Sequence, residues 1–295
     1  MFQEAYEIAR AFTQPVIYLW KTVGGVCRGG IGSCVVINDE GWVLTAAHIV
    51  TEATNLAKAD HDARAWESSR DALKADTSIS AKERGRRFAA LGTPKPQMVR
   101  RAAIRWGHNA STLRDITVIN DVDIAVGKLD PFDPSWVTQY PIFKDPTKSF
   151  QAGASLCKLG FPFMEIKPTF DEAAGTFDIP PGERMLTFFP IDGIFTRELV
   201  VAPQSATQPY PLKFVETSTP GLKGQSGGPT FDTKGSIWAI QARTAHHPLD
   251  FSPEIKDGGK VQKEHQFLNV GWGVHVETVL GLLQQVGVKH TISAY

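Results

Sequence analysis

The stretch Gly224-Gln225-Ser226-Gly227-Gly228-Pro229 places one serine among glycines, between a polar run and a strand-like run. Glycine neighbours allow a tight turn and let a carbonyl group come close to the serine. They also leave backbone N–H groups free to point at an oxyanion that develops during acyl transfer. The pattern therefore predicts a nucleophilic serine, although Gly-Ser-Gly sequences also occur in ordinary turns.

Two upstream segments offer the partners that such a serine needs. Thr45-Ala46-Ala47-His48 supplies an imidazole, and Asp121-Val122-Asp123-Ile124-Ala125 supplies two carboxylates. The chain order His, Asp, Ser is one of the known orders of a Ser-His-Asp triad. Together the three segments indicate nucleophilic catalysis much more strongly than any one of them alone.

These motifs resemble those of chymotrypsin-fold, trypsin-like serine peptidases, and most closely the bacterial HtrA-type branch. The similarity covers about a third of the chain and is specific because several motifs occur in the family's order. The segments that carry the resemblance are residues 32–37, 39–41, 42–48, 123–126, 214–217 and 226–235. From the end of the sequence at Tyr295, we expect no PDZ domain like that of HtrA-type enzymes.

The resemblance implies an all-β fold of two six-stranded antiparallel β-barrels, with the site in the cleft between them. A helical insertion in the first barrel and a C-terminal helix complete the expected architecture. We expect an N-terminal helix at 1–13, a first barrel at 14–135 with its insertion at 51–93, a second barrel at 136–276, and a C-terminal helix and tail at 277–295.

The family's catalytic roles carry over to residues of this chain. Ser226 would attack the scissile carbonyl, His48 would act as general base and then general acid, and Asp123 would orient the imidazole. The N–H groups of Gly224 and Ser226 would form the oxyanion hole. Asp121 is the alternative carboxylate, but the family's Asp-Ile-Ala-Val strand favours Asp123.

A specificity pocket is expected beside the serine. Its floor would come from Thr219, Pro220, Gly221 and Leu222, and its wall from Ile240, Gln241 and Ala242. The expected floor contains no acid, so the sequence does not support cleavage after Lys or Arg. Leu222 favours a small or medium apolar substrate side chain, unless the loop turns Leu222 toward the core instead.

The segment after His48 changes character completely. Residues 51–91 are rich in Ala, Lys, Arg, Asp and Glu, and their apolar positions recur at helical spacing. We predict helices at about 52–75 and 81–91, the second opened by the capping box Ser80-Ala81-Lys82-Glu83. A regulatory protein partner at this insertion is one hypothesis. For its basic cluster at 82–87, a solvated helix face is favoured over a nucleic-acid site.

Bulk properties narrow the class further. The chain has 295 residues, 42% hydrophobic and 21% charged, which indicates a globular protein. Its formal net charge is zero, so no global charge favours nucleic acid or an anionic membrane. Three cysteines cannot all pair, and free thiols are favoured over a Cys27–Cys34 bond, which suggests a reducing compartment. We expect a cytoplasmic, bacterial protein.

No cofactor or metal is expected. The pairs His246-His247 with Asp250, and Glu264 with His265, lack a convincing ligand spacing. The sequence therefore predicts a serine endopeptidase that acts on a protein or peptide substrate through an acyl-enzyme. The alternative from another class is an inactive trypsin-like domain that holds a peptide or serves as a scaffold.

Overall fold

The structure is a computed structural model, and it describes residues 1–180, 186–206, 208–257 and 260–294. Two β-barrels lie side by side, and helices cover their ends and edges. The helices are α1 (Gln3–Phe12), α2 (Ala47–Ala75), α3 (Ala81–Leu91) and α4 (Val276–Val286).

The first barrel is a six-stranded antiparallel sheet in the order β4-β1-β2-β3-β6-β5. A bridge between Trp106 and Ser111 joins the ends of β4 and β5 and closes the ring. Its strands are β1 (Thr13–Thr22), β2 (Cys27–Val36), β3 (Trp42–Thr45), β4 (Val99–Trp106), β5 (Thr112–Ile119) and β6 (Ile124–Asp130).

The second barrel runs β13-β8-β11-β12-β17-β14 and closes through the pairing of β13 with β14. Short β7 and β18 add to it in parallel. Its strands are β7 (Ile142–Phe143), β8 (Ser155–Lys158), β11 (Ile191–Ala202), β12 (Leu212–Thr217), β13 (Pro229–Phe231), β14 (Ile237–Pro248), β17 (Phe267–His275) and β18 (Thr291–Ile292). The predicted fold class of two six-stranded barrels is confirmed.

Two small hairpins decorate the second barrel. They consist of β9 (Thr169–Asp171) with β10 (Thr176–Asp178), and of β15 (Glu254–Asp257) with β16 (Lys260–Lys263). The prolines, glycines and acids of residues 167–183 predict a long surface loop. This prediction is wrong where β9 and β10 form, because the Phe170 and Phe177 rings pack edge to face with centroids 4.8 Å apart and Phe177 is buried. Residues 181–183 of that prediction lie outside the described residues.

The run Leu186-Thr187-Phe188-Phe189 predicts a strand, and this prediction is also wrong. The segment has no regular structure, because its side chains and backbone groups contact different neighbours. The Phe188 ring packs on Phe161 at 4.7 Å, while the Phe189 N–H donates to the Gly160 carbonyl. Apolar residues therefore recur in this segment without a paired strand.

The first part of the insertion is buried in the core, which its polar composition did not indicate. Helix α2 begins at Ala47, before the predicted start near residue 52, and buries Ala53 and Leu56 in the core. Farther along, the Asp60 carboxylate accepts the Ala102 N–H at 3.0 Å, which ties α2 to β4. The charged composition of residues 51–93 predicts that the insertion stays out of the core, and this prediction is wrong for its first two turns.

Helix α3 occupies the predicted 81–91 span. The Ser80 hydroxyl caps it by accepting the Glu83 N–H at 3.2 Å. The Glu83 carboxylate pairs with Arg86 and Arg87 at 3.0 and 2.9 Å, on an exposed face. Trp66 of α2 donates from Nε1 to the Leu91 carbonyl at 3.2 Å and so joins the two helices.

Helix α1 connects the barrels at the back of the molecule. Ala5, Ala9 and Phe12 are buried, as the predicted amphipathic face requires. The Phe2 ring meets Phe231 of the second barrel edge-on at 6.2 Å. The chain's first helix is thus packed on one of its late strands.

All three cysteines are free. Cys27 and Cys34 lie on the same strand, β2, so they cannot face each other across a hairpin. Within the described ranges, no helix combines the length and hydrophobicity that crossing a membrane requires.

Candidate active site

The imidazole of His48 is held by the carboxylate of Asp123. His48 lies in the first turn of α2, directly after β3, and Asp123 lies in the turn before β6. The Asp123 Oδ2 atom is 2.8 Å from His48 Nδ1, and Oδ1 accepts the His48 backbone N–H at 2.9 Å. One carboxylate therefore fixes both the backbone and the ring of the histidine, and its bond to Nδ1 leaves Nε2 as the basic nitrogen.

Local backbone geometry selects Asp123 over Asp121. Asp123 adopts a left-handed φ of 61°, and its own carbonyl accepts the Ala47 N–H at 3.2 Å. A left-handed φ is tolerated best by glycine, Asn and Asp. Asp121 is exposed to solvent, so the expected preference between the two carboxylates agrees with the geometry.

The loop of Ser226 is built into the seam between the barrels. The Ser226 carbonyl accepts the Ser33 N–H of β2 at 2.9 Å, and the Ser33 hydroxyl donates to the Gly224 carbonyl at 2.8 Å. A Cβ on Gly227 would lie 2.1 Å from the Ser33 carbonyl oxygen and 3.0 Å from the Ala46 nitrogen. The glycine is therefore required for the serine to sit against the segment that carries His48.

Gln225 ties the same loop to its own barrel. Its side chain is fully buried; Oε1 accepts the Leu222 N–H at 3.0 Å, and Nε2 donates to the Phe189 carbonyl at 3.1 Å. Gln225 therefore ties the Ser226 loop to the Leu222 segment and to the Phe189 segment. Sequence reasoning missed this residue, although its polar side chain directly precedes the predicted nucleophile.

Two backbone donors beside the serine are open. Among the described residues, neither the Gly224 N–H nor the Ser226 N–H donates to a protein acceptor. Gly224 has a φ of +100°, a conformation that glycine adopts without strain. A Cβ at this position would also lie 2.4 Å from the Phe161 carbonyl oxygen. The predicted oxyanion-hole residues thus present two unengaged donors on the same short turn.

The serine hydroxyl is not bonded to the imidazole in this structure. Ser226 Oγ donates instead to the Ala242 carbonyl of β14 at 3.4 Å, and the described residues contain no His48–Ser226 hydrogen bond. Catalytic hydrogen bonds are often long in unliganded sites and tighten when substrate binds. The two barrels therefore bring the three predicted residues together, but the hydrogen bond between Ser226 and His48 is not formed in this structure.

The predicted pocket residues lie on facing segments beside the serine. Gln241 of β14 is buried, and its Nε2 would lie 2.1 Å from a Cβ on Gly221. The Thr244 hydroxyl donates to the Gly221 carbonyl at 2.6 Å, which fastens the floor segment to the strand. Pro220, Gly221 and Leu222 are half-buried, whereas Ile240, Gln241 and Ala242 are buried.

A buried lysine that sequence reasoning missed lies under this floor. Lys158 ends β8 and is only 1% exposed. Its Nζ donates to the Thr217 hydroxyl at 2.9 Å and to the Thr219 carbonyl. Burial lowers the pKa of Lys158 to about 7. A lysine inside the otherwise strand-like run Ser155-Leu156-Cys157-Lys158-Leu159 was the available signal.

The polar residues at the far end of β14 have partners of their own. The Arg243 guanidinium lies over the Phe214 ring at 5.0 Å, and His246 Nδ1 is 2.6 Å from Asn269 Oδ1. His265 Nδ1 is 3.0 Å from the Ser252 hydroxyl. Across the described residues, no group of three or more His, Cys, Asp or Glu side chains is placed to hold a metal ion.

Comparison with known proteins places these features in a family. No curated protein matches the sequence. One similar solved structure is the crystal structure of the Rv3671c protease from M. tuberculosis in its active form. It has 13% sequence identity and a TM-score of 0.47, and the match covers 98% of this chain and 86% of that chain. The trypsin-like peptidase domain family matches residues 32–240, well over half of the chain. The chain therefore belongs to the trypsin-like peptidase domain family.

Proposed function

We propose that the chain is a serine endopeptidase that cleaves polypeptides through an acyl-enzyme. The observation that carries the proposal is the combination of a closed His48–Asp123 pair at 2.8 Å with two open N–H donors around Ser226. A binding module needs neither a histidine oriented by a carboxylate nor unsatisfied donors beside a serine. Both are what acyl transfer requires.

The first step would be attack of Ser226 Oγ on the scissile carbonyl carbon. His48 Nε2 would take the hydroxyl proton, which requires Oγ to leave the Ala242 carbonyl. The carbonyl oxygen would gain the negative charge and accept hydrogen bonds from the Gly224 and Ser226 N–H groups. The Asp123 carboxylate would stabilise the imidazolium formed by this transfer.

Collapse of the tetrahedral intermediate would break the C–N bond. The imidazolium would return its proton to the leaving amine, and the ester on Ser226 would remain. A water molecule, deprotonated by the same Nε2, would then attack the ester carbonyl. The bond between the carbonyl carbon and Ser226 Oγ would break, the imidazolium would return its proton to Oγ, and the acid product would leave. Each step uses residues of this chain only, so the proposal needs no cofactor.

The competing function is a trypsin-like scaffold that binds a peptide without cleaving it. The Ser226–Ala242 bond is the one observation in its favour, because it holds the hydroxyl away from the imidazole. Labelling with a fluorophosphonate probe separates the two functions, since only an activated serine reacts. We expect labelling of the wild-type protein, none of Ser226→Ala, and full labelling of Ser68→Ala, which removes an exposed serine of α2. A wild-type protein that resists the probe would favour the scaffold.

A further inference from the structure

The candidate pocket is polar below its floor. Thr217 of β12 pairs with Gly271 of β17, and the Lys158 ammonium lies at this junction. A Cβ on Gly271 would be 2.8 Å from Lys158 Nζ and 2.7 Å from the Thr219 carbonyl oxygen. The absence of a side chain at residue 271 therefore makes room for the lysine side-chain nitrogen beneath the floor segment.

The junction of Thr217 and Gly271 is connected to the nucleophile through strand β14. Gly271 pairs with Thr244 of β14, two residues beyond Ala242, whose carbonyl accepts the Ser226 hydroxyl. Two residues of extended strand span about 7 Å. The lysine thus lies at a depth that suits a long substrate side chain entering beside the serine.

Lys158 has no carboxylate partner among the residues that the structure describes. An ammonium group has three hydrogens, and two of them are engaged by neutral oxygens, on Thr217 and Thr219. The nearest acid along β12, Glu216, is held at 2.9 Å by Arg197 and at 3.0 Å by the Trp272 ring nitrogen. Burying a cation without a counterion is unfavourable, and proteins rarely do so for structural purposes.

Two residues of the predicted floor and wall, Thr219 and Gln241, contribute further polar atoms. Thr219 Oγ1 and Gln241 Oε1 are both buried and have no hydrogen-bond partner among the described residues. The Thr219 hydroxyl can donate to an incoming oxygen. Gln241 Nε2 is held by the carbonyls of Arg243 and Trp272, at 3.0 and 3.3 Å, so Oε1 is fixed as an acceptor. An apolar occupant would leave all of these groups unsatisfied.

We propose that Lys158 is a specificity-determining residue, and that the pocket takes an acidic side chain, glutamate before aspartate, on the residue preceding the cleaved bond. This inference rests on the proposed function and names its substrate class. The carboxylate would accept hydrogen bonds from Lys158 Nζ and Thr219 Oγ1 and would favour the protonated, positively charged form of the lysine. The preference differs from the apolar one predicted from Leu222, because the contact of the Lys158 side chain with the floor is long-range and cannot be read from neighbouring residues.

A panel of fluorogenic peptides tests the proposal. The peptides are identical except for Glu, Asp, Gln, Leu or Lys before the cleaved bond. We expect kcat/KM for the Glu peptide to exceed that for the Gln peptide by about tenfold or more, because Gln removes only the charge. Gln241 Oε1 is the one group that favours a carboxamide, so this pair is the decisive comparison. Equal or faster cleavage after Gln, or the fastest cleavage after Leu, would overturn the proposal.

Lys158→Met separates recognition from stability. The variant should lose the Glu-over-Leu preference, with the two kcat/KM values converging to within about threefold, while it still cleaves the Leu peptide. A lysine with only a structural role would slow all peptides alike and leave their ratio unchanged. Lys144→Met is the matched control, because Lys144 is also buried in the second barrel but lies over Phe150 and Trp238. This control should keep the Glu preference.

The peptide preferences of the wild-type protein test the proposal even if Lys158→Met does not fold. Gly271→Ala provides a second variant, since its methyl group would crowd Lys158 Nζ and should reduce cleavage after Glu more than after Leu. Fluorophosphonate labelling of the wild-type protein is measured in parallel. A labelled enzyme without an acidic preference refutes this inference alone, whereas an unlabelled protein refutes the proposed function itself.

Discussion

The two barrels contribute to the candidate site in different ways. The first barrel supplies a finished pair, with the Asp123 carboxylate bonded to both the ring and the backbone of His48. The second barrel supplies an open turn, in which the Gly224 and Ser226 donors are unengaged and the hydroxyl is bonded to Ala242. In the first barrel the contacts between His48 and Asp123 are formed before substrate arrives. In the second barrel the two backbone donors gain an acceptor only when a carbonyl oxygen enters. The difference suggests that substrate binding makes the remaining contact across the cleft.

Removing the nucleophile or the base should produce the largest effect. Ser226→Ala and His48→Ala are each expected to lower kcat by about four to six orders of magnitude, because the proton transfer and the acyl-enzyme are lost together. The double variant should be little worse than either single one. Single-turnover peptide hydrolysis measures this, and full activity in Ser226→Ala would refute the mechanism.

The contact between His48 and Asp123 in the first barrel can be disrupted without changing any residue of the second barrel. Asp123→Asn should lower kcat by about 10⁴-fold, because the amide no longer holds the imidazole in the required tautomer. Asp121→Asn is the matched control two residues away, and its exposed carboxylate should be dispensable. Similar losses in both variants would contradict the assignment of Asp123.

The open turn of the second barrel depends on Gln225. Gln225→Ala removes both braces of the loop and should lower kcat by about 10²–10³-fold, comparable to the loss of one oxyanion donor. Gln225→Glu restores the acceptor toward the Leu222 N–H but not the donor toward the Phe189 carbonyl, so it should recover only part of the activity. Equal KM values across the series would show that the loop acts on the transition state. A Gln225→Ala enzyme with unchanged kcat would show that the Ser226 turn keeps its conformation without the Gln225 side chain.

Lys158 makes a distinct prediction for stability. Its pKa is lowered to about 7 by burial, while an unfolded lysine titrates near 10.4. Between these values the unfolded chain binds a proton that the folded chain does not, so stability should rise with pH. Measured as Tm from pH 7 to 10, the wild type should gain relative to Lys158→Met. A constant difference would mean that the lysine keeps its proton in the folded protein.

The smallest effect is expected from shortening the insertion. Replacing residues 61–93 with a Gly-Ser linker keeps Ala53, Leu56 and the Asp60–Ala102 bond of α2, but it removes the Glu67 carboxylate that pairs with Arg100 and Arg101 of β4. The barrels should remain folded by circular dichroism, and hydrolysis of small peptides should change by less than about threefold. Loss of that hydrolysis would show that the insertion supports the site itself rather than a protein partner.

The sequence predicted the two barrels and the positions of His48, Asp123 and Ser226 because short local motifs carry them. Each depends on neighbours in sequence, such as the glycines around Ser226 or the strand before His48. Long-range contacts were not predictable in the same way. Lys158 reaches the pocket floor because β8 and β12 curl toward each other, and Phe177 becomes buried only because its hairpin folds back. Helix α2 entered the core for the same reason, since burial of Leu56 depends on the barrel below it.

The seam formed by Ser33, Gly227 and the segment before His48 has a consequence for biosynthesis. The first barrel emerges first from the ribosome and can complete its His48–Asp123 pair alone, but it contains no nucleophile. The Ser226 turn takes its shape against Ser33 and Ala46, so it cannot form until the second barrel docks. Helix α1 likewise completes its packing only once Phe231 is in place, because the Phe2 ring contacts Phe231. A nascent chain therefore lacks the complete candidate site until the second barrel has been made and has docked.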